Sequence, residues 1–246
     1  MPNIEELRLW DVWISKHLLR SMIALKCLKS LSLDGCLFSG AEDDICKLSM
    51  LRLKSLRCFT WGDDYSLLVS SFCLDSLLTL NTNHESFLTR IAAQDCHLPL
   101  QELELGAISL EEGLLPKVFQ KIPALKKLTI LDPITLDEIQ FDDVLPVLEE
   151  LCCSSFLLRS LVPGRPILRI QITRHGSSSE IIDNIQSLTG MRIRSLSVPV
   201  DVYQKVSELF PDLKSLRLEE RNIHDLFDPQ SSFKVFAIYS LIKVKC

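Results

Sequence analysis

The chain has 246 residues, 47% of them hydrophobic and 24% charged, which is the composition of a folded globular protein and not of a disordered one. Its 27 basic and 32 acidic residues leave a formal charge of −5 without a long basic run, so no nucleic-acid partner is expected, because that affinity comes mostly from neutralising phosphates. The opening MPNIEELRLW has no apolar signal segment, and the longest apolar stretch, SLLVSSFCLDSLLTL, is broken by Asp75 and too short for a bilayer, so neither secretion nor a membrane partner is expected.

Along the chain one hexamer recurs: an apolar residue, two of any kind, an apolar residue, one of any kind, and an apolar residue. It begins at Ile4 (IEELRL), Leu28 (LKSLSL), Leu53 (LKSLRC), Leu74 (LDSLLT), Leu100 (LQELEL) and Leu125 (LKKLTI). It continues at Leu148 (LEELCC), Ile167 (ILRIQI), Ile193 (IRSLSV), Leu213 (LKSLRL) and Phe233 (FKVFAI). The Leu74 copy has a second reading, slipped by one residue, with Leu78 and Leu80 inward. Successive starts are 24, 25, 21, 26, 25, 23, 19, 26, 20 and 20 residues apart. Nearly all of these fall in the range of roughly 20–29 that marks leucine-rich repeats.

Between the hexamers, several segments have helical signals. Ser15 is a candidate N-cap for SKHLLRSMIAL, and HESFLTRIAAQDC spaces Phe87, Leu88, Ile91 and Ala92 on one helical face. LDEIQFDDVLP over 136–146 and DVYQKVSELFP over 201–211 begin at or near Asp and stop at Pro146 and Pro211. SSSEIIDNIQSLTG runs from a serine cap, with Glu180 in its first turn, to Gly190.

In a short strand the fourth and sixth hexamer positions point one way and the third, fifth and seventh the other. Such a strand cannot bury its inner face alone, but strands stacked in parallel share a continuous core, with the intervening residues as crossovers. The expected fold class is α/β: a leucine-rich repeat solenoid with a curved parallel sheet on the concave side and helices and loops outside. One domain of about eleven irregular repeats is expected over 1–246. The ninth position, commonly Asn or Cys, is Cys36 in LKSLSLDGC but Trp61, Ile108, Pro133, Phe156, His175 or Asp201 elsewhere. IEELRLWDVWI and FKVFAIYSLIKVKC lack polar caps, so the expectation is a fragment of a longer protein.

Catalytic, cofactor and metal chemistry find no motif. Nine cysteines without paired spacing are read as reduced thiols of a cytoplasmic or nuclear protein. In LEELCC, Cys153 takes a core position and Cys152 the opposite face, which does not suit one shared metal ion. The five histidines are spread along the chain without zinc spacing. Serine-nucleophile and phosphate-loop motifs are absent, and AEDDI and QFDDVL lack the order of a calcium loop. No catalytic residue, no cofactor and no metal ligand is therefore assigned.

The stretches LPVLEELCCSSFLLRSLVPGRPILRIQI and LFPDLKSLRL resemble the leucine-rich repeat region of fungal, basidiomycete-type F-box-like proteins. The resemblance implies repeats that present a substrate to a cullin–RING ubiquitin ligase, whose adaptor is docked by an N-terminal F-box. No F-box segment precedes Ile4, so adaptor docking is expected only where a longer polypeptide supplies one.

The exposed sheet face would suit a protein or peptide partner. Arg and aromatic residues are the usual anchors of such contacts. On the outward rows these are Trp10, Arg57, Phe59 and Arg169, followed by Arg217 and Tyr239. The leading reading is a non-enzymatic interaction module. A ligand-sensing array of an immune-type nucleotide-binding receptor is the alternative. A regulator supplying an Arg to a GTPase would need a rim arginine, and none is singled out.

Overall fold

A computed structural model describes residues 3–38, 45–60, 66–106, 108, 110–111, 113–131, 144–173 and 177–219. The expected eleventh hexamer at Phe233, Tyr239 and most of the expected helix over 136–146 lie outside the described residues. The fold is α/β, and the chain divides into two compact units, Met1–Leu148 and Glu149–Cys246.

The first unit carries a parallel sheet in the order β1 (Glu6–Trp10), β3 (Ser30–Asp34), β5 (Ser55–Phe59), β6 (Thr79–Thr82), β7 (Glu102–Leu105) and β8 (Lys127–Ile130). A small parallel pair, β2 (Trp13–Ile14) and β4 (Leu37–Phe38), lies beyond the ends of β1 and β3. The crossovers include helices α1 (Lys16–Ile23), α2 (Ser66–Ser71), α3 (Glu85–Ala92) and α4 (Leu114–Lys121), and a 3-10 turn over Cys46–Met50. In the second unit the parallel order is β9 (Glu150–Ser154), β10 (Arg169–Thr173), β11 (Ser195–Pro199) and β12 (Ser215–Glu219). Its helices are α5 (Leu158–Leu161), α6 (Ser178–Gln186) and α7 (Tyr203–Leu209).

The register explains why the hexamer recurs. Fourth-position residues stand side by side: Leu7, Leu31, Leu56, Leu80, Leu103 and Leu128 in one unit, and Leu151, Ile170, Leu196 and Leu216 in the other. Away from β1 and β12 these side chains are at most 2% exposed. Within each unit, second-position carbonyls accept two successive N–H groups from the next repeat. Lys29 O takes Lys54 N and Ser55 N, and Gln101 O takes Lys126 N and Lys127 N. Glu149 O takes Leu168 N and Arg169 N in the same way. This bond pins the entry of β3, β5, β6, β7 and β8 in the first unit and of β10, β11 and β12 in the second, so one register propagates within a unit.

The fourth repeat corrects both sequence readings. Lys54 O accepts from Leu78 N at 2.8 Å and Thr79 N at 3.0 Å, so Leu78 holds the second position and the hexamer begins at Leu77. Leu80 is inward and fully buried, as the slipped reading had it, but Leu78 is only half-buried and its inward partner is Thr82. The physical cause is the leucine at both 74 and 77. Leu74 packs in the turn before the strand, and its carbonyl accepts from Leu77 N at 3.1 Å.

Local signals account for most of the helices. Ser15 Oγ accepts from Leu18 N at the start of α1, and Ser177 with Glu180 forms a complete capping box on α6. Phe87, Leu88 and Ile91 are the buried face of α3. The 201–211 helix forms later than its acidic residue indicates, because Val200–Val202 make a 3-10 turn before Tyr203. Helix α4 is not among the helices expected from the sequence. Pro116 occupies its first turn, where an N–H has no intrahelical acceptor to lose, and Gly113 supplies the left-handed φ of 77° at the cap.

Candidate partner-binding face

In-register stacking sets the outward residues in rows across each sheet. Neighbouring strands lie about 4.8 Å apart, so a long side chain reaches its neighbour's row and the one beyond. In the first unit this produces a connected cluster centred on Arg57 of β5. Its Nε donates to Asp34 Oδ1 of β3 at 2.9 Å and to Oδ2 at 3.2 Å. Its Nη1 lies 3.6 Å from Glu104 Oε1 of β7, on the far side of β6. Asn81 of β6 lies between and donates to Glu104 Oε2 at 3.2 Å, while Ser32 Oγ donates to Asp34 Oδ2 at 2.8 Å. The guanidinium also sits 4.4 Å from the centroid of the Phe59 ring, a cation–π distance.

These contacts fix a side chain that would otherwise sample many rotamers. All three charged groups remain partly solvated, so the ion pairs add little stability, and their main effect is orientation. The group of one cation and two carboxylates presents a rigid, mixed-charge surface with a net negative balance.

Phe59 was expected as an exposed anchor but is only 8% exposed. Its ring lies against Gly106 at the end of β7, where a Cβ would come within 2.6 Å of Cε1. Phe59 is therefore a floor for Arg57. Trp10, at the end of β1, is 78% exposed, and Trp13 of β2 is 69% exposed. Trp10 is paired in register with Asp34, the carboxylate that holds Arg57.

In the second unit, Arg169 of β10 is exposed and pairs with Glu150 of β9. Glu219 of β12 accepts from Ser197 Oγ at 2.7 Å and from Gln171 Nε2 at 3.1 Å. Arg217 is exposed on β12, two residues before Glu219 and on the same face of the strand. The structure thus brings Arg57 and Phe59 together and places Trp10 beside their cluster. Arg169 and Arg217 belong to the other unit, and Tyr239 is outside the described residues. The carboxylates and amides that orient the arginines were visible only as members of rows. Asn81 was missed because its repeat was misregistered.

The thiols behave as core groups. Cys153 is buried and Cys152 faces outward, as the alternation requires. Burial pushes the Cys58 thiol up to about 12 and raises Cys153 well above its ordinary value. Cys36, at the ninth position, bonds the main chain at the strand ends: its thiol donates to Leu9 O at 3.5 Å and to Asp34 O at 3.7 Å. Among the described residues, no three His, Cys, Asp or Glu side chains group as metal ligands, and no helix is long and apolar enough to cross a membrane. No protein-family model matches the sequence, and comparison with curated proteins finds no match.

Proposed function

We propose that the chain is a leucine-rich repeat solenoid acting as a non-enzymatic protein-interaction module, the substrate-recognition repeats of an F-box-like ubiquitin ligase receptor. The observation that carries the interaction reading is the Asp34–Arg57–Glu104 cluster with Trp10 beside it. A guanidinium held in place from two sides and from below loses little freedom on binding. A large exposed aromatic next to it supplies the apolar area that hot spots need. The rows extend over several strands, which suits a protein segment better than a small metabolite. The ubiquitin-ligase assignment rests on the sequence resemblance alone, and docking to the ligase adaptor requires an F-box in the same polypeptide.

The test is proximity labelling in cells with the wild-type chain, followed by recapture with Trp10→Ala, Arg57→Glu, Arg169→Glu and Arg217→Glu. A partner that is lost with the substitutions and whose ubiquitination falls when the chain is depleted supports the proposal. An identical partner set for every variant removes the face from consideration. A variant-sensitive partner whose ubiquitination does not change retains the module and removes the ligase.

A further inference from the structure

Resting on the interaction reading above, we infer that the face of the first unit takes a protein segment carrying a lysine or arginine, and that a phosphate on that segment blocks docking. Strands β3, β5, β6, β7 and β8 hold five charged residues, all on outward positions: Asp34, Glu102 and Glu104 against Arg57 and Lys127. Lys127 is the register partner of Glu102, and Arg57 lies between Asp34 and Glu104. Each cation of this face therefore has a carboxylate of the same chain beside it.

That arrangement does not suit an anion. A guanidinium reads phosphate through two parallel N–H donors that match two oxygens. The Nε edge of Arg57 is already taken, because Nε donates to both oxygens of Asp34, at 2.9 and 3.2 Å. Its Nη1 lies 3.6 Å from Glu104 Oε1. A phosphate on the remaining N–H groups would stand close to both carboxylates while carrying about −1.5 to −2 charges of its own. Like charges set together across an interface exclude a partner. The other outward arginines among the described strands follow the same design. Arg8 pairs with Glu6, Arg169 pairs with Glu150, and Arg217 shares its strand face with Glu219.

A cation, by contrast, meets an open acceptor. Glu104 Oε2 accepts from Asn81 Nδ2 at 3.2 Å, which orients the carboxylate. Among the described residues Oε1 has only the Arg57 contact, and 3.6 Å is beyond hydrogen-bond length. The side chain is partly solvated, so this oxygen retains capacity for a donor from outside. Glu102 stands two residues earlier on the same face and is exposed. An ammonium or guanidinium group of the partner thus gains a charge-assisted bond to Glu104, with a second carboxylate nearby and Arg57 held back by Asp34.

Arrayed peptides of random sequence, each made with a central lysine, serine or phosphoserine, test this on the full chain. The lysine series should be retained about tenfold more strongly than the phosphoserine series. Glu104→Gln should narrow that ratio, and Glu104→Arg should reverse it. Glu104 is on the outward face, so circular dichroism of both variants should match wild type. Retention of the phosphoserine series that is lost in Arg57→Glu overturns the inference and leaves the interaction face standing. So does equal retention of the two series that Arg57→Glu alters, or a lysine preference that Glu104→Arg leaves intact. Retention of no series, or retention that neither Arg57→Glu nor Glu104→Gln changes, removes the face as a binding surface and the inference with it.

Discussion

Thr60 Oγ1 lies 2.5 Å from His84 Nε2, joining the end of β5 to the N-cap of α3 in the next repeat. Thr60 is almost fully buried, and burial lowers the His84 pKa below its ordinary value of 6.5. The unfolded chain therefore binds this proton more tightly than the folded one. The stability from a neutral His84 is complete above about pH 6.5 and is lost progressively as the pH falls towards the lower folded value. Urea midpoints should drop between about pH 7 and pH 5 in wild type, and less steeply in His84→Gln. An equal slope in both proteins would remove His84 as the source.

Arg90 of α3 closes the helix before it. Its Nη1 donates to Val69 O and Phe72 O, both at 2.6 Å, where α2 ends. Val69 O also takes a long 3.4 Å bond from Phe72 N, Phe72 lies just past the last helical residue, and a cation at a helix C-terminus meets the favourable end of the dipole. Burial lowers the Arg90 pKa, but a guanidinium starts so far above neutral that it stays charged in neutral solution. Arg90→Ala should destabilise the fold by about 2–3 kcal/mol in chemical denaturation, because two inward carbonyls lose a charged donor. Arg90→Lys should fall between, since a point charge replaces a planar fork.

Gly106 is the space into which Phe59 extends. A Cβ at 106 would meet Phe59 Cε1 at 2.6 Å and Cδ1 at 3.3 Å. Gly106→Ala should cost about 1–3 kcal/mol through overpacking. It should also weaken any binding that depends on the orientation of Arg57, because the ring that supports the guanidinium must shift. In a Phe59→Leu background the cost of Gly106→Ala should be smaller, and a double-mutant cycle in urea measures that coupling.

The fold was largely readable because its strongest physical demand is also periodic. Ten hexamers fall on described residues, and nine of those begin where the strand alternation begins. Each failure has a local cause. Leu74 and Leu77 offer two starts, and the bonds to Lys54 O with the pairing of Leu80 to Leu56 and Leu103 distinguish them. Helix α4 carries Pro116 in its first turn and has no side-chain N-cap, so it lacks the start signal that Ser15 and Ser177 supply elsewhere. The candidate site was readable as rows and not as contacts. Arg57 could be picked by type, but its link to Glu104 crosses Asn81, whose position depended on the misread register. Arg90 carried no sequence signal, since its acceptors are main-chain carbonyls 18 and 21 residues away.

The corrected register of the fourth repeat makes the sharpest stability test. Leu80 is fully buried, standing between Leu56 and Leu103, while Leu78 occupies the second position, where Lys54 and Gln101 stand in adjacent repeats. Removing Leu80 side-chain carbons leaves a cavity with strands fixed on both sides, so Leu80→Ala should cost about 2–5 kcal/mol. Leu78 is half-buried, and its main chain, not its side chain, makes the inter-repeat bonds. Leu78→Ala should therefore cost less than about 1.5 kcal/mol, and Leu78→Lys, which reproduces the residue at 54, should still fold. Thermal or urea unfolding of the three variants under one condition decides the matter. Comparable losses for Leu78→Ala and Leu80→Ala would mean that both leucines face the core, and the register given by Lys54 would be wrong.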